Sequence, residues 1–432
     1  MNALEQYKLS NGTRIIISPS SDTKAVTCLA YFAVGSRFEP AELWGGSHFL
    51  EHMMFKGTEK RPTTEDLSKQ LDAVGADYNA FTSKDHTAYY IKIDGRHTEL
   101  ALDMLSDMLY KSKFDSAEFE RERGVIVEEL NMYEDNPSMK VEELFEEQLF
   151  AANTLGLRIG GLTDNIKTMN LEKLVAYKKR FYAPEHLVLV LAGKIGKNTR
   201  DLIKKYFGAE KMHGAKRLSY KKFSWGTARK TATEPVKILF KQTDQVHMVL
   251  GFPAFDYDDE RNAAQLLLHV ILGGSMSSRL FIGVRERKGL CYVIRTGVTN
   301  YGDAGAFTVT SGLDKARLTE AMATIYEELQ RLVKDGVTDE EVQMAKDHLS
   351  GKMVLQFEDS ARVADFYGQQ KLLMKRVETP EQKFKRIMNQ TPADVNRVAR
   401  SIINFKNAKL GVIGPYKNAK EFLDAAKLPW FV

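Results

Sequence analysis

The chain has 432 residues, 43% hydrophobic and 28% charged, which is enough for roughly two to three domains with sizeable cores. A balance of 62 basic against 57 acidic side chains gives a net charge of +5, too dilute to mark a nucleic-acid binder, and two distant cysteines, Cys28 and Cys291, exclude a disulfide scaffold or a cysteine-rich metal site. No signal peptide is legible at the N-terminus and the longest clean apolar run, 187–193, is far short of a membrane span, so a soluble, cytoplasmic, mixed α/β protein is expected.

In chain order, 13–18 and 24–34 read as strands from their β-branched and aromatic content, and 44–58 as a short helix. Segment 78–93 alternates with period two, as a half-buried strand does. Segments 96–111 and 115–137 read as helices, 171–182 as another, and 186–195 closes the half as a strand. The order then repeats. Strands are expected at 234–241 and 245–255, a helix at 260–274, two strands within 289–314, helices at 315–336, 338–357 and 393–405, and a closing strand at 408–416. Asp115 with Glu118 has capping-box spacing, and Thr338 with Glu341 has it again 223 residues later. Between the halves, 211–230 carries seven basic residues and no acidic one, with Gly and Ser interspersed, and reads as a linker. The expected organisation is a duplicated α+β unit, with domains at 1–212 and 231–432 joined through 213–230.

The informative motif is His48-Phe49-Leu50-Glu51-His52. Residues four apart lie on one face of a helix, so both imidazoles can meet one ion. Glu51 flanks the same opening. Imidazole nitrogen and carboxylate oxygen are the usual zinc ligands, and H-x-x-E-H is the inverzincin order of the zinc-protease motif. A third ligand is expected from the acid-rich helix 115–135, which offers Glu118, Glu120, Glu122, Glu128, Glu129 and Glu134. Glu122, Val125 and Glu129 form one stripe beside Ile126 and Leu130, and acids there require a positive partner. Spacing alone does not choose between Glu128 and Glu129.

Three stretches in order, GGSHFLEHMMFKGT, GADYNAFTSKDHTAYY and ERERGVIVEEL, together resemble the M16 metallopeptidases. That family includes pitrilysin, insulin-degrading enzyme and the mitochondrial processing peptidase, and the length resembles its short M16B subunits. The resemblance implies two homologous α/β-sandwich domains of LuxS/MPP-like metallohydrolase type, each a mostly antiparallel sheet covered by helices. It implies one Zn²⁺ per chain held by His48, His52 and Glu129, with Glu51 as general base and Glu122 supporting the site. Asn79, Ala80 and Phe81 match the edge strand that pairs with substrate backbone, in keeping with the general ability of an exposed edge to take an added strand. Arg285 and Tyr292 match the segment that steadies the tetrahedral intermediate. Peptide substrates enclosed in a chamber, and a homodimer or a heterodimer with a related subunit, are likewise implied, with no nucleic-acid or membrane partner.

The second copy does not keep the motif. At the 223-residue offset Glu122 becomes Ala345 and Glu129 becomes Lys352, and His269 is followed by Leu272 and Gly273 at +3 and +4. His269, His86, His97, His186, His213, His247 and His348 are read as structural or exposed. The function expected is zinc-dependent endopeptidase. The alternatives are a presequence-processing peptidase, a non-catalytic subunit of a larger complex, and an anionic-surface or nucleic-acid binder acting through the basic linker.

Overall fold

The computed structural model describes residues 4–212 and 219–428. Part of the expected linker, 213–218 with His213, lies outside the described residues; its distal end is a short helix, Trp225–Thr231, capped by Ser224. The chain divides into two compact units, each built on one mixed sheet.

The first unit draws on 4–131, 158–212, 219–220 and 353–378. Its strands are β1 (Glu5–Lys8), β2 (Arg14–Pro19), β3 (Ala25–Phe32), β4 (Asp77–Thr82), β5 (Thr87–Asp94) and β6 (Leu187–Gly193), in the order β1-β2-β6-β3-β5-β4. Only β2 and β6 run parallel; the other neighbours are antiparallel. β6 is buried along its whole length and β3 nearly so. Strands covered on both faces lose alternation and read as continuous apolar runs. One face packs Ile15, Ile17, Cys28, Ile91 and Leu189 against Phe49, Leu105, Phe119 and Ile126. The other packs Ile16, Leu29, Tyr31 and Val190 against Ala364 and Tyr367 of the helix Ser360–Leu373.

The second unit draws on 132–157, 221–352 and 379–428. Strands β7 (Val236–Phe240), β8 (Gln245–Ala254), β9 (Cys291–Asn300), β10 (Gly305–Asp314) and β11 (Lys409–Gly414) follow the order β7-β11-β8-β10-β9. That is the connectivity of β2-β6-β3-β5-β4, again with one parallel pair, β7 with β11. The expected tandem α+β duplication is therefore present. The helix Pro137–Leu149 covers this sheet through Val141, Leu144 and Phe145.

Each sheet belongs to one half of the chain, but each half gives one helical segment to the other's sheet. Pro137–Leu149 comes from the first half and packs on the second sheet, whereas Ser360–Leu373 does the reverse. Neither helix is among the elements expected from sequence. Segment 78–93, expected as one strand, is divided into a hairpin, β4 and β5, around Ser83–His86. The Thr338/Glu341 capping box forms in full, while Asp115 accepts from Ala117 and Glu118 but Glu118 turns its own side chain to Arg121.

The turn after β4 is fixed by a buried ion pair. Arg37, 2% exposed, meets Asp85, 3% exposed, at 2.8 Å. The neighbouring N–H groups of Ser36 and Arg37 donate to the Ser83 and Lys84 carbonyls at 3.1 Å each. Removing one partner of a buried pair costs far more than breaking a surface pair. Asp85→Ala is expected to lower folding stability by about 3 kcal/mol or more, read as a fall in urea midpoint by circular dichroism. An unchanged midpoint would contradict this role.

Candidate metal centre

The helix Gly46–Met53 starts where Gly45 takes φ +92°, a left-handed conformation that favours glycine. Its first N–H groups have no partner within the helix, and the buried carboxylate of Glu39 takes those of Gly45 and Ser47 at 2.7 Å each. Burial pushes the Glu39 carboxyl up to about 8 against the downward pull of those donors. On the helix's inner face Phe49 stacks on Phe119 of the helix Ser116–Asp135, with centroids 4.5 Å apart and planes at 21°. Both rings are out of water, so the two helices that carry the candidate ligands share one core contact.

His48 and His52 project together, ring centroids 4.7 Å apart. Glu129 Oε2 lies 3.7 Å from His48 Nε2 and 3.5 Å from His52 Nε2. Four ligands at the usual zinc distances stand about 3.3–3.4 Å from one another in a tetrahedron, so these separations suit one small ion. Among the described residues this is the one group of three or more such side chains whose ligand atoms all lie within 4.8 Å of one another. Glu128 is exposed, and it is Glu129, not Glu128, that stands with the two histidines. Val125, grouped with the stripe by sequence, is 47% exposed.

Glu122 does not join the three. Its buried Oε2 accepts from His52 Nδ1 at 2.9 Å, and its Oε1 meets Lys56 Nζ at 2.5 Å. Burial raises the Glu122 carboxyl, but the hydrogen bonds from His52 and Lys56 outweigh it and leave it lowered. Burial pushes His52 down, yet Glu122 and Glu129 hold it up at about 9. His48 goes the other way, to about 4, through burial and the neighbouring His52 charge, with Glu129 opposing. Glu51 stands beside the cluster with its carboxyl raised by burial, and its Oε2 accepts from Thr82 Oγ1 at 2.7 Å. Thr82 ends β4, so the edge strand and the acid are joined by one hydrogen bond.

Asn79, Ala80 and Phe81 lie on β4, an outer strand of its sheet. The Ala80 N–H is bonded to Asn79 Oδ1 at 2.8 Å. Arg285 and Tyr292 belong to the second unit, where the guanidinium sits 5.2 Å from the Tyr292 ring centre and the tyrosine is 75% exposed. Four of the other histidines have side-chain partners: His86 packs on Tyr31 and Phe81, His186 bonds the Phe181 carbonyl, His247 bonds Ser138, and His269 bonds Thr296. Sequence reasoning missed Glu39, Lys56 and Thr82. Thr82 and Lys56 carried a signal, their places in the edge segment and in the stretch 45–58.

Two family profiles match: insulinase (peptidase family M16) over residues 14–161 and the peptidase M16 inactive domain over 168–349. The uncharacterized zinc protease YmxG of Bacillus subtilis is 33% identical, covering 96% of this chain and 99% of that one. An uncharacterized zinc protease of Streptomyces coelicolor is 34% identical, covering 97% and 91%. A solved protease from Helicobacter pylori superposes with TM-score 0.88 at 21% identity, covering 96% and 99%. A peptidase M16 inactive domain from Pseudomonas fluorescens gives 0.87 at 19%, covering 96% and 99%. By these profiles and full-length relatives, this chain belongs to the M16 peptidase family.

Proposed function

We propose that this chain is a zinc-dependent endopeptidase acting on extended peptides. The observation that carries the reading is the convergence of His48, His52 and Glu129, with Glu51 beside them bonded to Thr82. A zinc ion held by those three side chains supplies Lewis acidity, activating water and polarising a carbonyl. Glu51, one oxygen engaged by Thr82, uses the other to accept the proton of the attacking water and then delivers it to the leaving amine nitrogen. Its raised carboxyl suits that transfer. An extended peptide adds to the open side of β4, taking backbone bonds beside Asn79, Ala80 and Phe81. Thr82, in the same strand, ties the peptide's register to Glu51. On the family resemblance, Arg285 and Tyr292 are assigned to steadying the developing oxyanion, in their own chain or in a partner's. The reading extends, on the family resemblance, to a dimer whose chamber admits unfolded chains.

Glu51→Gln is expected to lower hydrolysis of a quenched peptide library by at least about 100-fold with zinc content unchanged. Full activity in that variant, or cleavage insensitive to a chelator, would overturn the assignment. Zinc binding is also expected to be linked to pH. Below about 9 the metal-free His52 carries a proton that a ligand imidazole must lose. His48 is already neutral above about 4. At pH 6, zinc addition in weak buffer is therefore expected to release about one proton per ion, and apparent affinity to rise about tenfold per pH unit. Calorimetry in buffers of different ionisation enthalpy reads both, and a pH-independent affinity would contradict the site as described.

A further inference from the structure

We infer that Lys56 is a positioning residue of the metal centre, acting through Glu122 on His52. The inference rests on the reading that His48, His52 and Glu129 hold zinc. The Glu122 side chain is 4% exposed and each of its oxygens has one partner: Oε1 meets Lys56 Nζ at 2.5 Å, and Oε2 accepts from His52 Nδ1 at 2.9 Å. With one oxygen pinned by the ammonium, the carboxylate plane cannot turn without loosening its bond to the imidazole. That bond holds a hydrogen on Nδ1, so the proton given up for the metal is the one on Nε2, which faces Glu129. Partners of this kind commonly change metal affinity 10- to 100-fold. By contrast, His48 Nδ1 is buried with no hydrogen-bond partner among the described residues, so the orienting contact falls on His52.

The chain around Lys56 is built to hold it. The helix ends at Met53, but Phe55 N–H donates to the His52 carbonyl and Lys56 N–H to that of Met53, both at 3.2 Å, so the backbone makes one more tight turn. Gly57 then takes φ +107°, and a Cβ there would stand 2.3 Å from the Pro62 carbonyl oxygen. The Gly57 carbonyl is bonded by Lys113 N–H at 3.1 Å, and Thr58 N–H donates to Arg61 at 2.7 Å. Lys56 thus leaves an anchored turn, its side chain only 23% exposed, with its ammonium on a carboxylate out of water. A solvated lysine on an exposed acid contributes little, whereas a cation on a buried acid matters.

The test uses the full chain and zinc alone. Zinc affinity is measured by competition with a chromophoric chelator for wild type, Lys56→Met, Glu122→Gln and the double variant. The visible bands of the cobalt(II)-loaded proteins report ligand geometry, and melting of the metal-free proteins reports fold. Expected is a 10- to 100-fold loss in Lys56→Met, altered cobalt bands, and a double variant no weaker than Glu122→Gln, because both single changes act on one contact. Lys56→Gln keeps a donor without the charge and is expected to lose part of the affinity, which preserves the test if Lys56→Met does not fold. Affinity within twofold of wild type and unmoved bands in a folded Lys56 variant would overturn the inference while leaving the zinc reading intact. Failure of wild type to bind zinc stoichiometrically would instead sink that reading, and this inference with it.

Discussion

The stack of Phe49 on Phe119 sets the spacing on which the site depends. Neither helix alone can make a centre: His48 and His52 come from one, Glu122 and Glu129 from the other. The shared rings, with Leu50, Ile126 and Leu130 buried around them, hold the helices close enough for Glu129 to come within 3.5–3.7 Å of both imidazoles. Packed cores are dense and resist small displacements, so apolar contacts transmit the geometry that polar groups use. Around this contact the polar parts are ordered in layers. Glu39 holds the start of the histidine helix, Glu122 orients His52, and Thr82 holds Glu51.

Among the described residues, the two units share one topology but not the His-His-Glu cluster. Both use the same strand order with a single parallel pair. In the second unit the helix Asp339–Phe357 keeps its capping box, and Glu341 is clamped by Arg279 at 2.6 Å. The positions matching Glu122 and Glu129 hold Ala345 and Lys352, so no carboxylates remain there to gather a cation. Helix start and sheet order survive because they answer to backbone hydrogen bonding and apolar packing, which do not depend on those two side chains.

Much of this was legible in the sequence, and the exceptions have physical reasons. The H-x-x-E-H spacing needs only helix geometry, and His48 and His52 do project together. Glu129 was separable from Glu128 only by resemblance, since adjacent residues differ by the angle at which they leave the helix, which tertiary packing decides. The hairpin within 78–93 was read as one strand because Ser83–His86 lacks Gly and Pro; its turn is made by tertiary contacts, Arg37 with Asp85 and the two carbonyls beside it. The exchanged helices Pro137–Leu149 and Ser360–Leu373 were not named, and periodicity would not have told which sheet each covers. Glu39 gave no signal because a charged residue in a turn ordinarily faces water, and Lys56, though inside the stretch 45–58, is marked only by its contact with Glu122.

The most direct measurement of the central claim is the position of the ion itself. Anomalous diffraction at the zinc edge from crystals of the zinc-loaded protein is predicted to show one strong peak about 2.0–2.2 Å from His48, His52 and a Glu129 oxygen, with Glu122 contacting His52 and not the metal. A peak elsewhere, or a centre that excludes Glu129, would contradict the account.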